Sequence, residues 1–256
     1  MKGRIPTAIV HVYGEDHRRI DTEELREIEK AAALVYNSAT VGPVIADKEK
    51  ARVRLCGAGV LMPEADMGNA DVVFSNSRLG TSQEVSVVYP GQALDADRYN
   101  TRYIDTTVDY RGKKYYTTIR LLCISDRIVH AYVRARDVAE GSPSVHAKDT
   151  PLDPELLAHL QSKLVEGHRP QIQNVADRIF SALGPGFYAH DLMIEANTQK
   201  VYVCETNFKF DDSSFSERTR PISGMIPFHQ ILFPLEGFAS ECARTLALDI
   251  QSRMAR

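Results

Sequence analysis

The 256 residues are 43% hydrophobic and 25% charged, the balance of an ordinary globular chain rather than a disordered one. A net charge of −3 gives no support to a polyanionic partner, so nucleic acid binding is not expected, and no apolar run reaches the length of a membrane span. The N-terminus lacks the continuous apolar core of a signal peptide, and the four cysteines form no CxxC pair or Cys/His cluster of the kind zinc uses, so buried free thiols in a reducing cytoplasm are the expectation.

In chain order, the β-branched run Thr7 to Tyr13 reads as a strand, ended by Gly14. Asp21 to Ala33 reads as a helix, with Asp21 and Thr22 as cap candidates, and Ala33 to Tyr36 as a second strand. Together they make a small βαβ-like unit. Asp47 to Gly57 has a helical period and runs into glycines. Val72–Phe74 and Val85–Tyr89 read as strands around a glycine-containing turn; Lys114–Leu122 and Ile128–Arg136 are two more, joined at Ser125-Asp126. Residues 141–153 form a Ser/Pro/Asp loop. Pro154 to Ala182 is a long helical stretch with a break near Gly167 and Pro170. Tyr188 to Asn207 reads as a hairpin turning at Glu195 to Lys200; Asp211 to Arg220 is a polar segment, and a last helix covers about 236–254. The fold class is α+β or α/β, with mainly antiparallel hairpins in the middle.

The hairpin carries the chemistry. Glu205 and Asn207 are two apart on a strand, so both face one side, and pairing brings Asp191 alongside. Two carboxylates and an amide oxygen are hard donors of the kind Mg²⁺ takes together with substrate phosphates. The alternative is the polar face of a surface hairpin.

Other segments, in order, resemble those of the ATP-grasp enzymes, the superfamily of D-alanine–D-alanine ligases, glutathione synthetases and ribosomal-protein glutamate ligases. The resemblance covers about residues 33 to 210. It starts with Val35-Tyr-Asn-Ser38, then Asp47-Lys48 opening a helix, then Ala58-Gly-Val-Leu-Met-Pro63. Lys48 matches the lysine that contacts nucleotide phosphate. Gly80-Thr81-Ser82 fit the glycine-rich loop whose N–H groups cradle phosphate, and Arg78 adds charge. This chain departs there: Ser75 stands where the family has a strand-end lysine, and Glu84 where it has a later glycine. Arg102-Tyr-Ile-Asp105 resembles the hinge strand of the adenine pocket. Tyr103 and Ile104 would read the purine through their backbone, and Asp105 or Asp109 would meet the ribose.

Arg120 and Arg134, fourteen residues apart on paired strands, match two arginines that stabilise charge on the transferring phosphate and on the acyl intermediate, a task suited to a planar fork. Arg136 is an alternative to Arg134. Asp191, Glu205 and Asn207 match the magnesium ligands; the arginine often found two before the aspartate is here Ala189, with His190 or a strand arginine as substitutes. The resemblance implies an ATP-grasp fold with a reduced N-terminal unit (1–45), a small subdomain (46–110) and a C-terminal subdomain with the metal site (111–256). It implies ATP and Mg²⁺ as cofactors and ligation of a carboxylate to an amine, from small molecules or peptides, through an acyl phosphate. A kinase of the same architecture and a nucleotide-binding protein without catalysis are the alternatives. The short N-terminal unit leaves substrate to the C-terminal segment, the 137–153 loop or a second subunit of a homodimer, with Lys209, Asp211 and Asp212 as contact candidates.

Overall fold

Strand β1 (Ala8–Val10), helix α1 (Thr22–Glu29) and strand β2 (Leu34–Tyr36) form the expected βαβ unit, with β1 and β2 parallel and Ala8 opposite Leu34. This computed structural model describes residues 7–12, 22–65, 72–79, 85–208, 210, 213–225 and 235–255. Asn37 follows β2 with φ of 55°, a left-handed conformation that asparagine tolerates. Its Nδ2 donates to His11 O at 2.9 Å, and its Oδ1 accepts from Phe187 N at 2.7 Å. One side chain thereby pins the N-terminal unit to the start of the metal-hairpin candidate.

Helices α2 (Gly42–Ile45) and α3 (Lys48–Gly57) come next. The Asp47 carboxylate caps α3, accepting from Glu49 N and Lys50 N. Strands β3 (Val73–Asn76), β4 (Ser86–Val88) and β5 (Tyr99–Arg102) form a small antiparallel sheet in the order β4-β3-β5. The strand expected over 102–105 stops at Arg102. Past it the Asp105 carboxylate accepts from Thr107 N at 2.9 Å and the Asp105 carbonyl accepts from Ala196 N at 2.8 Å, which draws the chain out of the small ladder and across to a second sheet.

That larger sheet is built on β7 (Lys113–Ile124). β8 (Arg127–Asp137) runs along one edge. The other edge takes β6 (Thr107–Tyr110) against residues 113–116 and then β9 (Phe187–Ile194) against residues 119–124, with β10 (Val201–Asn207) outside β9. β6 is short and half-polar, so its own sequence carries little strand pattern. It is held by a two-residue turn in which Arg111 and Gly112 both have positive φ, a geometry that suits the twist of a hairpin.

Helices α4 (Pro154–Leu160) and α5 (Arg169–Leu183) cover one face of this sheet, where Ile119, Leu121, Val133, Leu160, Ile179, Leu192 and Val203 form the main core. The expected break between them is a π-helical turn over Gln161–Glu166. Gly167 closes it because a Cβ there would lie 2.4 Å from the Lys163 carbonyl. On the other face the segment expected to be polar contains helix α6 (Ser213–Thr219), which buries Phe215 against Tyr132 with ring centroids 4.4 Å apart. One buried aromatic suffices to seat a helix with few other apolar residues.

Helix α7 (Leu235–Met254) is anchored by Asp249, which accepts from Tyr36 Oη and Ser125 Oγ, each at 2.7 Å, and from Arg253 Nε at 2.8 Å. The thiols do not follow expectation: Cys123 is buried, but Cys56 and Cys204 are exposed, the latter because of a strand irregularity described below. Among the described residues no helix is long and apolar enough to cross a membrane.

Candidate active site

Strict alternation along β10 would defeat the hairpin reading. Val201 and Val203 lie in the core, so Glu205 would follow them inward. A β-bulge at Cys204 prevents this. Val203 pairs with Leu192, and the next pair is Glu205 with Asp191, leaving Cys204 as the extra residue. From there on the strand presents Glu205 and Asn207 to the face opposite the core, while Thr206 is buried beside His190, at 3.0 Å from its Nδ1. Arg120 pairs with Asp191 across the β7–β9 ladder and so shares that face.

The charges on this face meet. Arg120 Nη1 donates to Asp191 Oδ1 at 2.9 Å, and Arg134 Nη1 lies 3.6 Å from the same oxygen. Asn207 Nδ2 donates to Glu205 Oε1 at 3.3 Å, and its own Oδ1 is 3.5 Å from Arg120 Nη2. From α3, Lys48 Nζ stands 4.0 Å from Glu205 Oε2 and donates to the Ser77 carbonyl at 3.1 Å. Burial works to raise the Asp191 carboxyl, but Arg120 and Arg134 outweigh it and hold it below the ordinary range. Glu205 goes the other way. Burial and the charge of Asp191 raise it, against the pull of Lys48 and Arg120. A site with one carboxylate held ionised and a neighbour resisting ionisation gains from an added cation.

Among the described residues there is no cluster of three or more carboxylate, imidazole or thiol ligands. A divalent ion here would take two carboxylates and the Asn207 amide oxygen and complete its shell with water or phosphate, as Mg²⁺ does.

The remaining candidates divide. Arg136 is turned to Glu140, Ser144 O and Asp149, so Arg134 is the β8 arginine that reaches Asp191. His190 faces the core, and burial pushes its imidazole down to about 3, so it carries no charge to make up for Ala189. Arg78 grips Asp47 through Nε at 3.0 Å and Nη2 at 2.8 Å, and also pairs with Glu49. It steadies the cap of the helix that presents Lys48. Gly80, Thr81 and Ser82 lie outside the described residues, as do Lys209, Asp211 and Asp212.

At Ser75 a guanidinium arrives through space. Arg98 Nε donates to Ser75 Oγ at 2.9 Å and Nη2 to Ser75 O at 3.2 Å. No spacing in the sequence links the two residues; only β3–β5 pairing brings them together.

In the connection between the sheets, Tyr103 N–H is taken by the Val72 carbonyl. The Tyr103 carbonyl and the Ile104 N–H carry no hydrogen bond among the described residues, an adjacent acceptor and donor. The Ile104 side chain packs with Met193 and Tyr202. The Asp105 side chain, engaged with Thr107, lines a separate pocket with Asp109, Lys114 and Lys163. Tyr103 also walls a cavity of about 420 Å³ with Val72, Val87, Tyr89 and Tyr116, on the Arg120 side of β7.

No protein-family model matches the chain, and no curated protein does. Solved structures do. The ATP-grasp ligase PsnB, in complex with precursor peptide PsnA2 and AMPPNP, aligns with a TM-score of 0.51 at 14% identity, over 88% of this chain and 66% of that one. The chain has the ATP-grasp fold. The ADP complex of purK, N5-carboxyaminoimidazole ribonucleotide synthetase, aligns at 0.50 with 10% identity, over 80% of this chain and 54% of that one. The N5-carboxyaminoimidazole synthetase of Staphylococcus aureus gives 0.50 and 9%, over 81% and 54%. This chain therefore spans about half to two-thirds of the length of these three proteins.

Proposed function

We propose that this ATP-grasp chain is an ATP-dependent ligase that joins a carboxylate to an amine, with Mg²⁺ held by Asp191, Glu205 and Asn207. The observation that carries the reading is the convergence of Lys48, Arg120 and Arg134 on the two carboxylates of one sheet face. Magnesium would supply charge neutralisation to the phosphates. Lys48, Arg120 and Arg134 would grip and orient them, so that catalysis is positioning and electrostatic stabilisation with no covalent protein nucleophile. Arg98 would add a cation on the small sheet beside Ser75. The Tyr103 carbonyl and Ile104 N–H would read the edge of the purine, and the tyrosine- and valine-walled cavity suits a flat base.

In this reading a substrate carboxylate oxygen attacks the γ-phosphorus and ADP leaves. The amine then attacks the acyl carbon, phosphate leaves, and the nitrogen gives up a proton as the amide forms. Some solved ATP-grasp neighbours hold Mg and ADP, or a precursor peptide, so peptides belong in the substrate screen beside small acids and amines. The test is ADP release across acid and amine pairs with mass analysis of products. A new amide is the expected result. A phosphorylated product in its place would make the chain a kinase, and tight nucleotide binding with no turnover for any pair would make it a binding protein.

A further inference from the structure

Helix α3 carries a second cation on the side that presents Lys48. Residues four apart on a helix are neighbours on one face, so Arg52 stands one turn beyond Lys48. Lys48 is engaged with Glu205 and the Ser77 carbonyl, and Arg54 donates to the Ala182 carbonyl at 2.8 Å. Arg52 differs. It is half-buried, its Nε is shut off from solvent without an acceptor, and it makes no ion pair among the described residues. Other arginines about the cleft, among them Arg78, Arg98, Arg102 and Arg120, all have partners.

The surroundings of Arg52 locate it. α3 packs against β10. The Tyr99 hydroxyl, on the small sheet, lies within the electrostatic reach of Cys204, Arg52, Cys56 and Glu49. Arg52 and Cys204, the bulged residue next to Glu205, therefore both lie near Tyr99. A guanidinium with a desolvated Nε and no counter-charge is costly, and an anion would relieve it. Lys48 reaches Glu205 from the same helix face, so Arg52 follows a cation that already meets the cluster. Two cations one turn apart on one face of α3 suit an elongated polyanion better than a single carboxylate.

We propose that Arg52 binds the polyphosphate of the nucleotide, extending the row that Lys48 begins. This rests on the nucleotide reading of the cleft. The test is calorimetric titration of the full chain and Arg52→Gln with MgATP, MgADP and adenosine, the last read by competition. ATP and ADP affinity should fall about ten- to hundredfold, the size of a hydrogen bond to a charged group, with adenosine unchanged. Arg52→Lys, which keeps the charge but not the fork, should lose less and serves if the glutamine variant does not fold. Unchanged ATP affinity in both variants, or an equal loss for adenosine, would overturn the assignment and leave the nucleotide site standing. Failure of the unaltered protein to bind any nucleotide would overturn the cleft reading and Arg52 with it.

Discussion

Asp191 and Asp249 are both aspartates set among arginines in the same chain, and they do opposite things. Asp249 is closed: its side chain is 1% exposed, and Tyr36, Ser125, Arg127 and Arg253 supply its donors from strands β2 and β8, the β7–β8 turn and its own helix. It knots α7 to the sheet. Asp191 is left open. Its side chain is 21% exposed, it shares one oxygen between two arginines, and Glu205 opposite it resists ionisation. A satisfied buried charge holds a fold together. A cluster with cations and anions still in conflict is arranged for something that has yet to bind.

Substitutions that treat the two aspartates' neighbourhoods alike should therefore break differently. Glu205→Ala is expected to cut Mg²⁺-ATP turnover by about a thousandfold or more while the melting temperature holds, since it removes charge from an open cluster. Asp249→Asn should do the reverse. It should cost about 3–5 kcal/mol of stability by denaturant melts, because Arg253 loses a buried partner, with activity per folded molecule retained.

The pH dependence of stability sharpens the contrast. Although burial works to raise it, hydrogen bonds from Arg253, Ser125 and Tyr36 hold the Asp249 carboxyl below the ordinary aspartate range. A depressed carboxyl stabilises the fold at pH above its unfolded value of about 3.9, and that contribution is lost as pH falls through the folded value. Acid melts of the unaltered protein should show this loss, and Asp249→Asn should remove it. Smallest of all, Arg78→Ala should lower the melting temperature only slightly, since Arg78 itself lies at the surface where water screens its pairs, and a large drop would mean Arg78 does more than steady the α3 cap.

Much of this was legible in the chain. Periodicity marked the βαβ unit, the β7–β8 pair and the β9–β10 hairpin, and the order of motifs pointed to the ATP-grasp fold. The spacing of Asp191, Glu205 and Asn207 marked the hairpin, but period-two reasoning could not show that a bulge at Cys204 is needed to turn Glu205 out of the core that holds Val203. Arg98 beside Ser75 was hidden because only strand pairing joins residues so far apart. Arg78 reads as a phosphate cation from its position near the loop, and sequence alone could not show that Asp47 takes its Nε and Nη2. Strand β6 and helix α6 escaped because each is short and depends on tertiary packing rather than its own pattern.

The central claim is that the open cluster on the β7–β9–β10 face holds a magnesium nucleotide. Calorimetric titration of ATP with and without Mg²⁺, on the unaltered protein and on Glu205→Gln, tests it most directly. Saturable ATP binding that strengthens with Mg²⁺, and loses that dependence in a Glu205→Gln protein of unchanged melting temperature, is the predicted result. No ATP binding, or a variant that responds to Mg²⁺ as the parent does, would contradict it.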